Sequence, residues 1–304
     1  RSAHTKTVEL SSVERELYVD LSRFIRDHYV EKHPVLTRFL LKQLQEQMGS
    51  TFSTLMGTLQ KLAVHEELGT EEQELLKGYY ARAEAIARDE HEKSAKITEL
   101  AKILTEFQDK MLIFTKYRTT QMVITQALRE RGFRVAEFHG GLLRKEKEHQ
   151  IAFFKDEADV LVSTEVGGEG RNLQFCNGMI NFDLPWNPMA IEQRIGRIHR
   201  IGQNRDVFVY NLAAQHTLEH YMLQVLDRKI NMFELVIGEV DMILGDIEES
   251  EEFSDLVMNA WVRSEDAAKM EQEMEEIGEK LLENKNKLQK VKELDEHLFV
   301  DQLV

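Results

Sequence analysis

The chain has 304 residues, 42% hydrophobic and 31% charged, the balance of an ordinary folded globular protein with room for one large or two modest domains. It holds no apolar run near the roughly 18 residues that a membrane span needs, no signal peptide is read in the opening RSAHTKTVEL, and its single cysteine, Cys176, excludes an internal disulfide framework and suits a reducing cytoplasm. The net charge of −15 is unevenly placed: residues 110–205 carry 15 Lys+Arg against 11 Asp+Glu, net +4, whereas residues 239–304 carry 7 against 20, net −13, which leaves the middle of the chain free to meet phosphates.

From Val8 to about Glu92 the patterning is helical. A capping box at Ser11 and Glu14 opens it, followed by Leu17, Leu21, Phe24 and Ile25 at helical spacing. Thr37–Ala63 and Glu71–Glu92 read as further helices, and no chemistry is visible in this region. The run Asp89-Glu90-His91-Glu92 closes the alanine-rich helix YYARAEAIARDEHEK and reads as a solvated helix terminus.

From Ser94 the pattern changes to short runs rich in β-branched and aromatic residues: KMLIFTKY (110–117), FRVAEFH (133–139), ADVLVST (158–164), GMINFD (178–183) and DVFVYNL (206–212). Amphipathic helices near 94–107, 118–131 and 144–154 lie between them. Strands alternating with helices imply a parallel, doubly wound sheet, which binds ligands beyond the carboxyl ends of its strands. The candidate loops leave from that edge. Thr115-Lys116-Tyr117 follows the first strand, and FHGGLLRKEKEHQIAFF contains His139, Gly140 and Gly141, although glycines more often serve a tight turn and a lone histidine is usually structural. In Ser163–Leu173, Gly167, Gly168 and Gly170 permit close backbone approach, so that amides and the Thr164 hydroxyl can bond phosphate oxygens without reading bases.

The segment DLPWNPMAIEQRIGRIHRIGQ (183–203) is a polar loop running into an arginine-bearing helix. Asn187 can cap it, Pro188 suits the first position, and the helix runs from about Met189 to about Ile201. Ile191, Ile195 and Ile198 form an apolar face, with Gln193, Arg197 and Arg200 opposite. Arg194, Arg197 and Arg200 at i, i+3, i+6 repel one another by a few tenths of a kcal/mol per pair, so either an anion belongs there or the face is simply basic and solvated. Guanidinium forks match phosphate oxygens. Further on, Thr217 to about Ile237 reads as one long amphipathic helix and Glu248–Glu252 as an acidic connector. A final helix from a cap at Ser264 carries Met270, Met274, Ile277, Leu281, Leu288 and Val291 on one stripe with Asn284 in the seam, which must bury itself against the lobe or a partner, docking on the protein itself being the default expectation.

QRIGRIHRIGQ resembles motif VI of superfamily 2 helicases and, with its I-G-Q ending, of SWI/SNF-type DNA translocases. Thr115-Lys116-Tyr117 resembles motif IV, the His-Gly-Gly stretch its companion, and STEVGGEGRNL motif V, whose G-E-G-R-N-L-Q-F wording is similar to the bacterial HepA/RapA-like branch. HTKTVELSSVERELYVDL resembles the region that links the two motor lobes. The resemblance implies a RecA-like helicase C-terminal lobe with an N-terminal helical protrusion and a C-terminal helical tail, divided as 1–93, 94–214, 215–247 and 248–304.

For function, the resemblance implies an ATP-dependent double-stranded-DNA translocase. Arg197 and Arg200 would be arginine fingers toward ATP and Mg²⁺ held by an N-terminal RecA-like lobe, supported by Gln193, Arg194, Glu165 and Gly168. Thr115, Lys116, His139, Gly140, Gly141, Thr164, Asn172 and Trp186 would face the DNA backbone, Trp186 having the alternative of packing beside the arginine helix. The family's D-E-x-H magnesium box is imitated by Asp89–Glu92, but off any strand, and no G-x-x-x-x-G-K-[ST] loop is present, so the chain alone is expected to be inactive. RNA polymerase is a further expected partner, and the expected location is the cytoplasm at the nucleoid. Two alternatives stand: an ATP-independent nucleic-acid or polymerase-docking module, and an RNA helicase lobe.

Overall fold

The computed structural model describes residues 2–29, 35–164, 173, 175–198, 206–229, 231–232, 239–248 and 252–300. Its strands, β1 (Ser2–Val8), β2 (Met111–Thr115), β3 (Val135–Phe138), β4 (Val160–Thr164), β5 (Gly178–Asn181) and β6 (Phe208–Ala214), form an all-parallel sheet in the order β1-β6-β5-β2-β4-β3. β2 and β4 each lie between two other strands and are buried along their whole length, which is why they read as the continuous runs MLIFT and VLVST rather than as alternating patterns.

Helices α6 (Ala95–Phe107) and α7 (Arg118–Glu130) cover one face, where Ile97, Leu100 and Ile103 of α6 and Ile124, Ala127 and Leu128 of α7 enclose Met111, Ile113, Val160, Val162 and Ile180. Because successive side chains on a strand alternate, Leu112, Phe114, Leu161 and Met179 turn to the opposite face, where α8 (Arg144–Asp156) packs beside β3 and buries Phe154. Gly178 has no room for a side chain: a Cβ there would stand 2.6 Å from Phe107 and 2.7 Å from the Met111 sulfur. The expected doubly wound parallel sheet, with helices before and after it, is present.

Sequence patterning does not show β1. SAHTKTV offers no apolar stripe, and its partner β6 lies at the far end of the lobe in sequence, so only the assembled sheet brings Ser2 opposite Phe208 and Val8 opposite Ala214. Before the sheet proper come α1 (Ser12–Tyr29), α2 (Arg38–Ser50), α3 (Phe52–Ala63), α4 (Thr70–Ala87) and the single turn α5 (Glu90–Lys93). The capping box at the start of α1 forms as expected, with the Ser11 N–H donating to Glu14 at 2.8 Å and the Glu14 N–H to the Ser11 hydroxyl at 3.4 Å.

Thr37–Ala63 is two helices and not one. Thr51 adopts extended backbone, φ −143°, and caps α3 by accepting from the Thr54 N–H, a break that the Ser-Thr pair signals once it is looked for. Glu90 also corrects the expectation of a solvated terminus. It is buried, and its carboxylate accepts from the Phe52 N–H at 2.7 Å and from the Ser53 N–H at 2.9 Å, closing the exposed amides at the start of α3.

The described chain clusters into two compact units, residues 1–184 with 194–220, and residues 185–193 with 221–304. Within the second, α11 (Glu239–Glu248) and α12 (Phe253–Arg263) pack on α13 (Ala267–Val300). The stripe Met270, Met274, Ile277 and Leu281 is buried, and the Asn284 amide donates to the Ile243 carbonyl at 3.1 Å, which gives the polar seam position its partner. Two expectations fail here. α13 starts at Ala267, with Asp266 accepting from the Lys269 N–H, while the Ser264 hydroxyl bonds back to Ala260 at the end of α12. The single helix expected from Thr217 is α10 (Leu218–Gln224) followed by a π-helical turn at Val225–Lys229. No helix among the described residues is long and apolar enough to cross a membrane.

Candidate functional site

The carboxyl edge of the sheet is organised by a buried acid. Asp183, two residues beyond β5, accepts at Oδ2 from the hydroxyls of Thr115 and Ser50, the latter at 2.8 Å, and at Oδ1 from the Lys116 N–H at 2.8 Å. It therefore ties the end of β2 to the end of α2. Helix α9 (Pro188–Ile198) follows, begun as expected by Asn187, whose Oδ1 accepts from the Met189 N–H at 2.8 Å, and anchored by buried Ile191, Ile195 and Ile198.

The first arginine of this helix is turned into the lobe. Arg194 is only 3% exposed; its Nη1 donates to the Asn181 side-chain oxygen at 2.8 Å and to the Asp183 carbonyl at 2.9 Å, Nη2 lies 3.7 Å from the Asp183 carboxylate, and the guanidinium covers the Phe114 ring at 5.3 Å. Asn181 in turn donates to Asn211 at 2.8 Å. Arg194 thus holds the Arg194–Ile198 end of α9 to the ends of β2 and β5, whereas Arg197, one turn on, is partly exposed and Gln193 is exposed. Arg200 lies outside the described residues, as do Glu165, Gly168 and Asn172.

Behind Asp183 sits a second buried pair. Lys96 donates to the Gly49 carbonyl at 2.7 Å and to Glu219 at 3.1 Å, and its ammonium covers the Phe182 ring at 4.9 Å. Glu219 also accepts from the Leu184 N–H at 2.6 Å. Burial pushes its carboxyl up to about 7 against the opposing pull of Lys96 and Leu184. Around Thr120, the hydroxyls of Ser50, Thr51 and Thr54 approach within 2.7, 2.8 and 2.9 Å, fastening α2 and α3 to the first turn of α7.

The other candidate residues are distributed along the same edge. Thr115 and Thr164 are register partners at the ends of β2 and β4, both buried. Lys116 and Tyr117 meet Glu46 of α2, the lysine through its ammonium and the tyrosine hydroxyl at 3.1 Å. Gln121 joins the Phe138 and Val162 carbonyls, closing the ends of β3 and β4 over α7. Beyond β3, Gly140 and Gly141 are exposed, and a Cβ on Gly141 would press on the His139 ring at 3.2 Å. Burial, with Arg118 nearby, holds the His139 imidazole below the usual histidine range. Trp186 is only 5% exposed. Asp183, Asn181, Lys96, Glu219, Ser50 and Glu46 were not singled out in the sequence, for nothing in their spacing marks residues that meet only in space.

A family model described as helicase conserved C-terminal domain matches residues 93–202. The chain is 37% identical over 250 residues to an uncharacterized ATP-dependent helicase, YqhH, of Bacillus subtilis, an alignment covering 82% of this chain and 43% of that protein. It is 40% identical over 138 residues to the RNA polymerase-associated protein RapA of Vibrio campbellii, covering 44% of this chain and 14% of RapA. It thus spans less than half the length of these relatives. Among solved structures, the C-terminal part of the Fun30 ATPase domain matches with TM-score 0.55 at 17% identity over 83% of this chain and 97% of that one. The Sulfolobus solfataricus SWI2/SNF2 ATPase core in complex with dsDNA matches with TM-score 0.52 at 24% identity over 84% and 48%. These likenesses concern the fold. Residues 93–202 therefore carry a helicase conserved C-terminal domain, and the chain resembles the C-terminal lobe of SWI/SNF-type ATPases, with similarity to the RapA-like branch.

Proposed function

We propose that this chain is the second motor lobe of an ATP-dependent double-stranded-DNA translocase, presenting Arg197 and Arg200 to a nucleotide held by a first lobe. The observation that carries the reading is the division of labour on α9: Arg194 is consumed inside the lobe and holds its end of the helix, whereas Arg197, one turn on, is left partly exposed. Guanidinium groups fit the phosphate end of a nucleotide, and Mg²⁺ would be held mainly by the first lobe. ATP supplies the free energy of its γ-phosphoryl transfer. Arg197 and Arg200 would stabilise the charge that develops there, Gln193, Glu165 and Gly168 would line the cleft, and Arg194 would orient the helix.

The same edge would meet DNA through its backbone. Lys116, the exposed Gly140–Gly141 turn beside His139, and Asn172 would offer amides and one ammonium, groups that hold phosphates without reading bases. Thr115, Thr164 and Trp186 would support that surface from within, given their burial. The similarity to RapA, an RNA polymerase-associated protein, supports polymerase as a partner, with docking as the second reading, and either would suit a cytoplasmic, nucleoid-associated setting. The test is steady-state phosphate release with and without duplex DNA. The isolated chain should show essentially none, and in a two-lobe protein Arg197→Ala should cut turnover while leaving duplex affinity within about threefold, since its contribution belongs to the transition state. Equal losses of turnover and affinity would transfer Arg197 to the DNA surface.

A further inference from the structure

Lys116 stands at the end of β2, where the proposed DNA backbone would pass, yet its ammonium already has an anionic partner. Glu46, from α2, pairs with Nζ of Lys116, and the Tyr117 hydroxyl donates to the same Glu46 oxygen at 3.1 Å. The acid is recessed, with 14% of its side chain exposed, whereas the lysine keeps 43%. The ammonium also rests 5.7 Å from the centre of the Tyr117 ring. Solvent and an incoming anion can thus reach the lysine from outside while Glu46 stays where Tyr117 holds it.

We propose that Glu46 is a built-in competitor for the DNA phosphate, occupying Lys116 until a backbone oxygen takes its place. The proposal rests on the reading that this edge meets DNA. A carboxylate and a phosphate offer the same charge-assisted hydrogen bond to an ammonium, so they compete directly. Half-exposed ion pairs are weak, and the exchange costs little. Its effect is to lower the grip of the lobe on DNA, which suits a contact that is made and released repeatedly, and Tyr117 keeps Glu46 in place to reclaim the lysine.

The test is a titration of the chain with a fluorescent duplex of mixed sequence across a salt series. Glu46→Gln keeps the size of the side chain and an acceptor for Tyr117 but removes the charge. It should tighten binding by about two- to fivefold, the reach of a partly exposed pair, and steepen the slope of log affinity against log salt by up to about 0.9 as one more phosphate is neutralised. Glu46→Ala should tighten likewise, with a small loss of melting temperature. In a Lys116→Ala background Glu46→Gln should give no gain. A gain of equal size there would mean that the acid acts only through the general field and would overturn the proposal, as would a wild-type chain that binds DNA and is not tightened by Glu46→Gln. If neither wild type nor variants bind duplex, the DNA reading falls and this inference with it.

Discussion

Arg194→Ala separates a structural arginine from a nucleotide-contacting one. The substitution removes two hydrogen bonds, to the Asn181 side chain and the Asp183 carbonyl, together with the charge facing the Asp183 carboxylate 3.7 Å away, at a site where the two side chains are 4% and 6% exposed. Asp183 keeps its donors from Ser50, Thr115 and Lys116, so its charge is not orphaned completely, but the Asn181 and Asp183 oxygens lose their partner. Breaking a buried pair on one side costs about 3–5 kcal/mol, a large part of the 5–15 kcal/mol that holds a typical domain together. For a unit of about 200 residues this corresponds to a fall in melting midpoint of roughly 6–20 °C. Arg194→Lys should lie between, since it retains a charge but not the fork that reaches two acceptors at once. Thermal unfolding followed by circular dichroism reads both. A midpoint for Arg194→Ala within about 3 °C of wild type, joined to lost ATP turnover in a two-lobe protein, would refute the assignment and return Arg194 to the nucleotide cleft.

Two further outcomes follow from the same geometry. The Glu219 carboxyl, raised by burial from 4.5 to about 7, holds its proton in the folded chain over a range where the unfolded chain has lost it, so its contribution to stability is fully present below pH 4.5 and is lost as pH rises to about 7. The difference is on the order of 3 kcal/mol, and denaturant unfolding at pH 5 and pH 7 should show this component in wild type and not in Glu219→Gln; identical pH dependence in the two would sink the idea. Glu90→Ala should cost about 1–2 kcal/mol by uncapping α3, and in a two-lobe protein it should leave ATP turnover per folded molecule unchanged, whereas abolished turnover in a stable variant would make the Asp89–Glu92 run a magnesium site after all.

Much of this lobe is determined by local sequence. Runs such as MLIFT and VLVST, bounded by turn residues, read as interior strands, because continuous apolar residues over five positions suit a strand covered on both faces. Caps are equally local: Ser11 with Glu14 and Asn187 with Pro188 start α1 and α9 through bonds that span two or three residues. The isoleucine face of α9 and the tail stripe that ends in Asn284 are read from period alone. Tertiary structure decided what distance in sequence conceals. SAHTKTV becomes β1 because β6 is there to pair with it, and Glu90 becomes a helix cap because α3 presents two bare amides to it. Of the two described arginines of α9, Arg194 falls beside the isoleucine face and is drawn inward, but which groups it meets there, Asn181, Asp183 and Phe114, is decided by β2 and β5. Period and propensity act over a few residues and are written in the chain, whereas the desolvation of a charge depends on which remote groups arrive to pair with it, and that is settled only when the fold closes.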